Sequence, residues 1–331
     1  MTKCFFFESE SLQIIINRIY NFYDYKYNFI VYTTFQIALQ GFLEKIFRDL
    51  NIDPSEYEVQ LVSPRPLNEK TQKQLTNLLF DDFGVKAVNM SHQSILAMYA
   101  YNAHTGVVID LGERMDIVPI VDGYRVTAGV SRSPVGGPQM RQKLQHYLLG
   151  RNYSLTTFVD SYVVRSAIEN LSYMSRNFDR ELERYRKKPE KIDCILELGK
   201  SSKLEMGSER FESVEGLFKP ELWGLDQAGV HVLVHKAIRE CSMDVRKEIT
   251  QSIFLAGGLS LIPGLRERLE LELEKLSPAT KPRVHASPYR YHASFLGATV
   301  HATSAAFKSS KLTREAWMGS GQRLNQPWNL S

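Results

Sequence analysis

The chain has 331 residues, 43% hydrophobic and 24% charged, with a net charge of +4 at pH 7, enough length for two domains or one bilobal fold with a sizeable core. Charge this mild gives no nucleic-acid footprint unless it is concentrated on one face, and the sequence has no uncharged apolar run of about 18 residues that would span a bilayer. Its three cysteines, Cys4, Cys194 and Cys241, lie far apart without metal spacing, which fits a reducing compartment and excludes a disulfide framework.

Residues 1–41 stand apart. Half of the positions from Tyr20 to Phe35 are aromatic, and the composition changes at about Gly41. The segment has neither a signal-peptide layout nor an arginine-rich amphipathic pattern. It reads either as an aromatic hairpin or partner-facing surface, or as unstructured sequence that is not native coding sequence, since AT-rich DNA encodes Phe, Tyr, Asn, Ile and Lys.

Beyond it, strands and helices alternate, which points to an α/β fold. "FLEKIFRDL" (42–50) has helical spacing, and "YEVQLVSP" (57–64) is a strand ending at a proline-rich turn. Residues 68–85 read as one amphipathic helix with Leu75, Leu78, Leu79 and Phe83 on a face and Gly84 as the stop. "KAVNM" (86–90) is a short strand. A helix then runs to about Asn102 with Ser91 as its N-cap. Two apolar runs, Val107–Ile109 and Ile117–Val121, flank a turn that opens with Asp110 and Gly112 and predict a hairpin. A helix over 136–151 starts through a glycine pair, and a long helix is expected over 160–188, ending in a solvated charge run. Residues 203–220 read as strand, turn and loop, and 226–241 as a helix. His231 and His235 stand four apart there, but no general-base glutamate sits between them and no third ligand is evident, so they read as structural. Last come a buried strand, Ile253–Leu255, the turn Ala256-Gly257-Gly258, and a helix with Leu265, Leu269, Leu273 and Leu276 in one stripe.

The chain thus has two strand–glycine turns, "DLG" and "AGG", where a ligand can approach backbone closely. Neither a P-loop nor a G-x-G-x-x-G fingerprint is present. Asp110, at a strand tip, either faces a metal-bound phosphate or caps its own turn.

Four stretches, in this order, resemble the actin family: "TGVVIDLGERMDIVPIVDGYRV" (105–126), "GSERFESVEGLFKPELWGLDQAGVH" (207–231), "SMDVRKEITQSIFLAGGLSLIPGLRERLELEL" (242–273) and "SPYRYHASFLGATV" (287–300). "LTREAWMGSG" (312–321) fits the family's closing helix, and the resemblance covers about Phe42 to Gly321. It implies the actin-type ATPase fold: two lobes with ribonuclease-H-like sheets and flanking helices around a nucleotide cleft. On that pattern 42–102 is a partial small lobe, 103–292 the large lobe, and 293–331 the helices returning to the small lobe. The implied cofactor is ATP with Mg2+ or Ca2+ if the cleft is functional, and none otherwise.

The residues the resemblance carries over are specific. Gln93 takes the place of the water-orienting glutamine and Asp110 that of the aspartate that holds the metal through water; these two are the catalytic candidates. Asp110, Gly112, Gly137, Glu169, Gly257, Gly258 and Tyr291 fall where the family lines its nucleotide, Tyr291 replacing a lysine. Departures are equally specific. Nothing in 1–41 matches the first phosphate loop with its lysine. The second loop is one residue shorter, and Glu113-Arg114-Met115 replaces a small turn. The histidine near the attacking water falls at Asp116, and Leu259, Leu261 and Ile262 make the adenosine loop more apolar. Side chains intrude where backbone N–H groups would cradle phosphate, and Glu113 adds negative charge, which Arg114 either offsets or converts into a self-filled phosphate site. The resemblance therefore implies a divergent actin-related protein that acts mainly through protein partners in a cytoskeletal assembly of the cytoplasm, or in a nuclear one, with weak or lost ATP binding. The alternative is an ATP-hydrolysing, actin-like filament protein whose true N-terminus differs from residues 1–41.

Overall fold

A computed structural model describes residues 4–7, 28–64, 67–198 and 203–321. The chain divides into two compact units, one of residues 1–102 with 294–331 and one of residues 103–293. Among the described residues, no helix is long and apolar enough to cross a membrane.

The first unit is built on three parallel strands, β1 (Cys4–Phe7), β2 (Glu58–Ser63) and β3 (Ala87–His92), with Leu312–Thr313 antiparallel at the far edge. Residues 4–7 of the 1–41 segment thus form a strand paired with β2. A helix, Asn28–Asp49, runs through Gly41 without a break, so the change in composition there is not a change in structure. Its Leu39, Leu43 and Phe47, four apart, join Val59, Leu79, Phe80, Val88 and Trp317 in one apolar core. The helix expected over 68–85 starts at Asn68, whose side chain accepts from Thr71 N at 2.8 Å, but it is α-helical only over Glu69–Asn77. Leu78–Asp82 form a wider π turn, which brings the consecutive Leu78, Leu79 and Phe80 into the core together; a 3.6-residue period spreads three such neighbours around the helix. Ser91 is not the next helix cap. It continues β3 in register with Val62, and His92 caps the helix Gln93–Ala100 by accepting Ser94 N–H at its Nδ1, 3.2 Å. The strand's ladder bonds outweighed the serine's capping preference.

Buried polar contacts pin the chain's return to this sheet. Gln60 Oε1 lies 3.0 Å from His301 Nδ1, and Asn89 Nδ2 donates to Ser310 Oγ at 2.7 Å. Burial lowers the His301 pKa by disfavouring the charged ring.

The second unit carries the larger sheet. β4 (Gly106–Leu111) and β5 (Met115–Val121) form the predicted hairpin, and β6 (Tyr124–Arg125) and β7 (Ser131–Ser133) both pair antiparallel with β5. β8 (Cys194–Glu197) and β9 (Lys203–Met206) make a separate two-stranded sheet. β10 (Ile253–Ala256) lies parallel to β4 on one side and to β11 (Val284–His285) on the other. β4 and β10 are buried along almost their whole length, with apolar residues at successive positions. Met140, Leu144 and Leu148 of the helix Gly137–Gly150 and Leu265, Leu269 and Leu273 of the helix Leu265–Leu276 share their core.

Two expectations change here. The long helix over 160–188 is two helices, Phe158–Leu171 and Phe178–Lys187. Between them Tyr173 N donates to Arg210 O and Met174 N to Pro263 O at 2.7 Å, so neighbouring backbone takes the groups an unbroken helix needs. Asn177 then caps the second helix through its side chain. Residues 203–220 hold a helix, Glu209–Glu215, after β9. His231 stacks on Phe218 with centroids 5.6 Å apart, and among the described residues no group of three His, Cys, Asp or Glu is placed to hold a metal.

Candidate functional site

The carboxyl ends of the parallel strands β4 and β10 meet at one edge of the second unit, the end of a mixed α/β sheet where ligands commonly bind. Asp110 is the last-but-one residue of β4 and pairs with Ala256, the last of β10. Gly257 follows at once with φ of 83°, a backbone that favours glycine. A Cβ there would stand 2.5 Å from Leu111 O and 2.6 Å from Asp110 Oδ1. The "AGG" turn therefore rests directly on the "DLG" turn. Gly257→Ala should destabilise the chain by about 1–3 kcal/mol through the left-handed backbone and the clash together. A denaturation midpoint unchanged by this substitution would contradict the close contact.

Across the hairpin Asp110 is in register with Asp116, and residues directly opposed in an antiparallel pair share a face. Two carboxylates therefore stand on one side of the hairpin. Burial, and then the Asp116 charge, push the Asp110 carboxyl up to about 7. Asp116 in turn is opposite Arg132 of β7, with Arg132 Nε 3.8 Å from Asp116 Oδ1. Arg125, on β6, is pulled down by its own burial and then by Arg132.

The turn between the strands is closed by Gly112 N donating to Arg114 O at 2.9 Å. Gly112 O accepts from Gly137 N, also at 2.9 Å, so the first N–H of the helix Gly137–Gly150 is already engaged. The helix start lies hard against the turn: a Cβ on Gly136 would be 2.5 Å from Gly112 O and 2.8 Å from Glu113 backbone atoms. Glu113 is held from that same helix by Arg141, whose Nη1 and Nη2 donate to its two oxygens at 2.9 and 2.7 Å. Nothing in the sequence marks Arg141 as its partner. It lies 28 residues from Glu113, a separation with no local pattern to read.

Gly258 lies beside Tyr291; a Cβ on it would be 3.2 Å from the ring. Asp110, Gly112, Gly137, Gly257, Gly258 and Tyr291 thus gather around one end of the sheet. Leu259 and Ile262 turn into the core of the unit, while Leu261 stays exposed. Glu169 is placed differently. It stands exposed on the helix Phe158–Leu171, paired with Arg165 Nε at 2.7 Å one turn back. Gln93 belongs to the first unit, where it is buried as the first residue of the helix Gln93–Ala100.

A family model described as actin matches residues 38–326, most of the chain. The chain belongs to the actin family. The match begins within the helix Asn28–Asp49 and extends through both compact units of this actin-family chain.

Proposed function

We propose that this actin-family chain is a divergent actin-related protein that works mainly through contacts with other proteins, as a structural subunit of a cytoskeletal assembly in the cytoplasm or of a nuclear one, with weak or lost ATP binding. The observation that carries this reading is the register of Asp110 with Asp116, which sets two carboxylates on one face of the hairpin that the family uses for phosphates. Glu113 adds a third carboxylate at its tip, pinned over the helix start by Arg141. A polyphosphate with its divalent cation needs backbone N–H donors and positive charge at this place. The residues present do not fit it: the first helical N–H is spent on Gly112 O, and Arg132 and Arg141 are paired with Asp116 and Glu113 of the hairpin.

The test is thermal unfolding of the full chain with rising Mg-ATP. A ligand that binds only the native state raises Tm progressively with its concentration. We expect no such rise in the wild type and no difference between it and Asp110→Ala in this respect. A Tm that climbs with Mg-ATP and stops climbing in Asp110→Ala would replace this reading with that of an ATP-binding, ATP-hydrolysing filament protein, in which Gln93, Asp110 and the Gly257-Gly258 turn keep their family roles.

A further inference from the structure

We propose that Glu113 is a built-in counter-anion: it fills the guanidinium of Arg141 and so excludes phosphate groups from the corner of the second unit between Gly112 and Gly137. The inference rests on the weak-nucleotide reading above and names the residue that enforces it.

The two parallel N–H···O contacts from Arg141 to Glu113 are the fork that a guanidinium offers equally to a carboxylate or to two phosphate oxygens. The carboxylate thus occupies the face of Arg141 that a phosphate needs. It is also held close to the helix start: Glu113 Oε1 would lie 3.4 Å from a Cβ on Gly137. Glycine at 136 and 137 is what lets the turn sit there. Two of the backbone donors at the helix start are already engaged. Gly137 N–H goes to Gly112 O, Gly136 N–H goes to the Gln139 side chain at 2.9 Å, and Pro138 has none. An incoming phosphate therefore has to displace Glu113 from Arg141 and then remain beside the displaced carboxylate, with Asp110 and Asp116 on the same hairpin.

The pair is reachable from solvent. The side chains of Arg141 and Glu113 are 28% and 47% exposed, so neutralising Glu113 leaves a guanidinium open to anions rather than a buried orphan charge.

The experiment uses the full chain at fixed ionic strength, with inorganic tripolyphosphate and Mg-ATP titrated separately against wild type, Glu113→Gln, and Glu113→Gln with Arg141→Gln. The inference expects Glu113→Gln to bind tripolyphosphate about ten-fold more tightly than wild type, the scale of freeing one charge-assisted fork and removing one like charge. It expects the double variant to lose that gain. An equal gain with Mg-ATP assigns recognition to the polyphosphate; a gain confined to Mg-ATP would overturn the claim, which concerns phosphate alone. A Glu113→Gln response equal to wild type, or a gain that survives loss of Arg141, would also overturn it. Tight Mg-ATP binding by the wild type would instead contradict the proposed function, so the two failures are told apart.

Discussion

Replacing Arg268 by alanine should cost the second unit about 3–5 kcal/mol, the size seen when one partner of a buried ion pair is removed. Arg268 lies in the helix Leu265–Leu276 and its side chain is 4% exposed. Its Nη1 donates to Ser175 O at 2.7 Å and to Glu215 Oε2 at 3.2 Å, its Nη2 to Glu215 Oε1 at 2.8 Å, and its Nε to Glu272 Oε1 at 2.8 Å. The guanidinium carbon also lies 4.9 Å from the centre of the Phe218 ring. Burial pulls the guanidinium pKa down, but the hydrogen bonds to Glu215 and Glu272 outweigh it, and the group is held above its ordinary value. One side chain thus ties three elements together: its own helix, the helix Glu209–Glu215, and the break between Phe158–Leu171 and Phe178–Lys187. Glu215 is fully enclosed, and burial pushes its carboxyl up even with Arg268 beside it. Without Arg268 it must take a proton or stay charged in an apolar surrounding. Urea unfolding of Arg268→Ala, Glu215→Gln and the double variant reads this directly. The double variant should cost less than the sum of the singles, because each single change strands the other partner. A loss below about 1 kcal/mol for Arg268→Ala would place the pair in the class of exposed ion pairs and contradict its buried geometry.

Asp110→Asn should stabilise the chain above pH 7 by roughly 2–4 kcal/mol and remove a pH dependence between pH 4 and 7. The sign follows from the raised pKa. Asp110 has a native pKa of about 7 against an ordinary 3.8, with burial as the larger cause and Asp116 as the second. Between those values the native state holds a proton that the unfolded chain has released. Stability from this group is therefore full below about pH 4, falls as pH rises towards 7, and is flat above that. Asparagine keeps the shape of the protonated acid without the charge. The difference in unfolding free energy between Asp110→Asn and wild type should be near zero at pH 4 and grow to its full value by pH 8. Parallel stability curves across this range would show that Asp110 is not held against Asp116 in a buried site. Asp116 itself has Arg132 opposite it, with Arg132 Nε 3.8 Å from its Oδ1.

Local signals carried much of the fold. Val107–Ile109, Ile117–Val121 and Ile253–Leu255 are apolar runs bounded by turn residues, and each is a strand of the central sheet. The leucine stripe from Leu265 is a helix that buries Leu265, Leu269 and Leu273, with Leu276 left exposed at its end. The failures come from tertiary contacts that override a local pattern. Met174 and Phe178 continue the helical spacing of Val164 and Ile168, but the backbone at Tyr173 and Met174 is claimed by Arg210 and Pro263. Ser91 is a good cap by type, yet the β2–β3 ladder extends through it. Gly41 marks a change of composition in the middle of a continuous helix.

The site was legible in the same uneven way. Two strand–glycine turns were readable as turns, and Gly257 does lie against Asp110. The partners that set the chemistry were not. Arg114, the cation next in sequence, was the natural candidate to offset Glu113, whereas the bidentate partner is Arg141 on the following helix. Glu215 and Arg268 lie 53 residues apart and gave no signal at all. Charge pairing across elements depends on where the elements pack, and no period or short motif encodes it.

Calorimetric titration of the full wild-type chain with Mg-ATP at pH 7.5 bears most directly on whether the hairpin still takes a metal-bound polyphosphate. The opposed Asp110 and Asp116 and the filled Arg141 predict no saturable binding below about 1 mM, where the binding free energy is only about −4 kcal/mol. A one-site isotherm in the micromolar range would contradict it and restore a working nucleotide cleft.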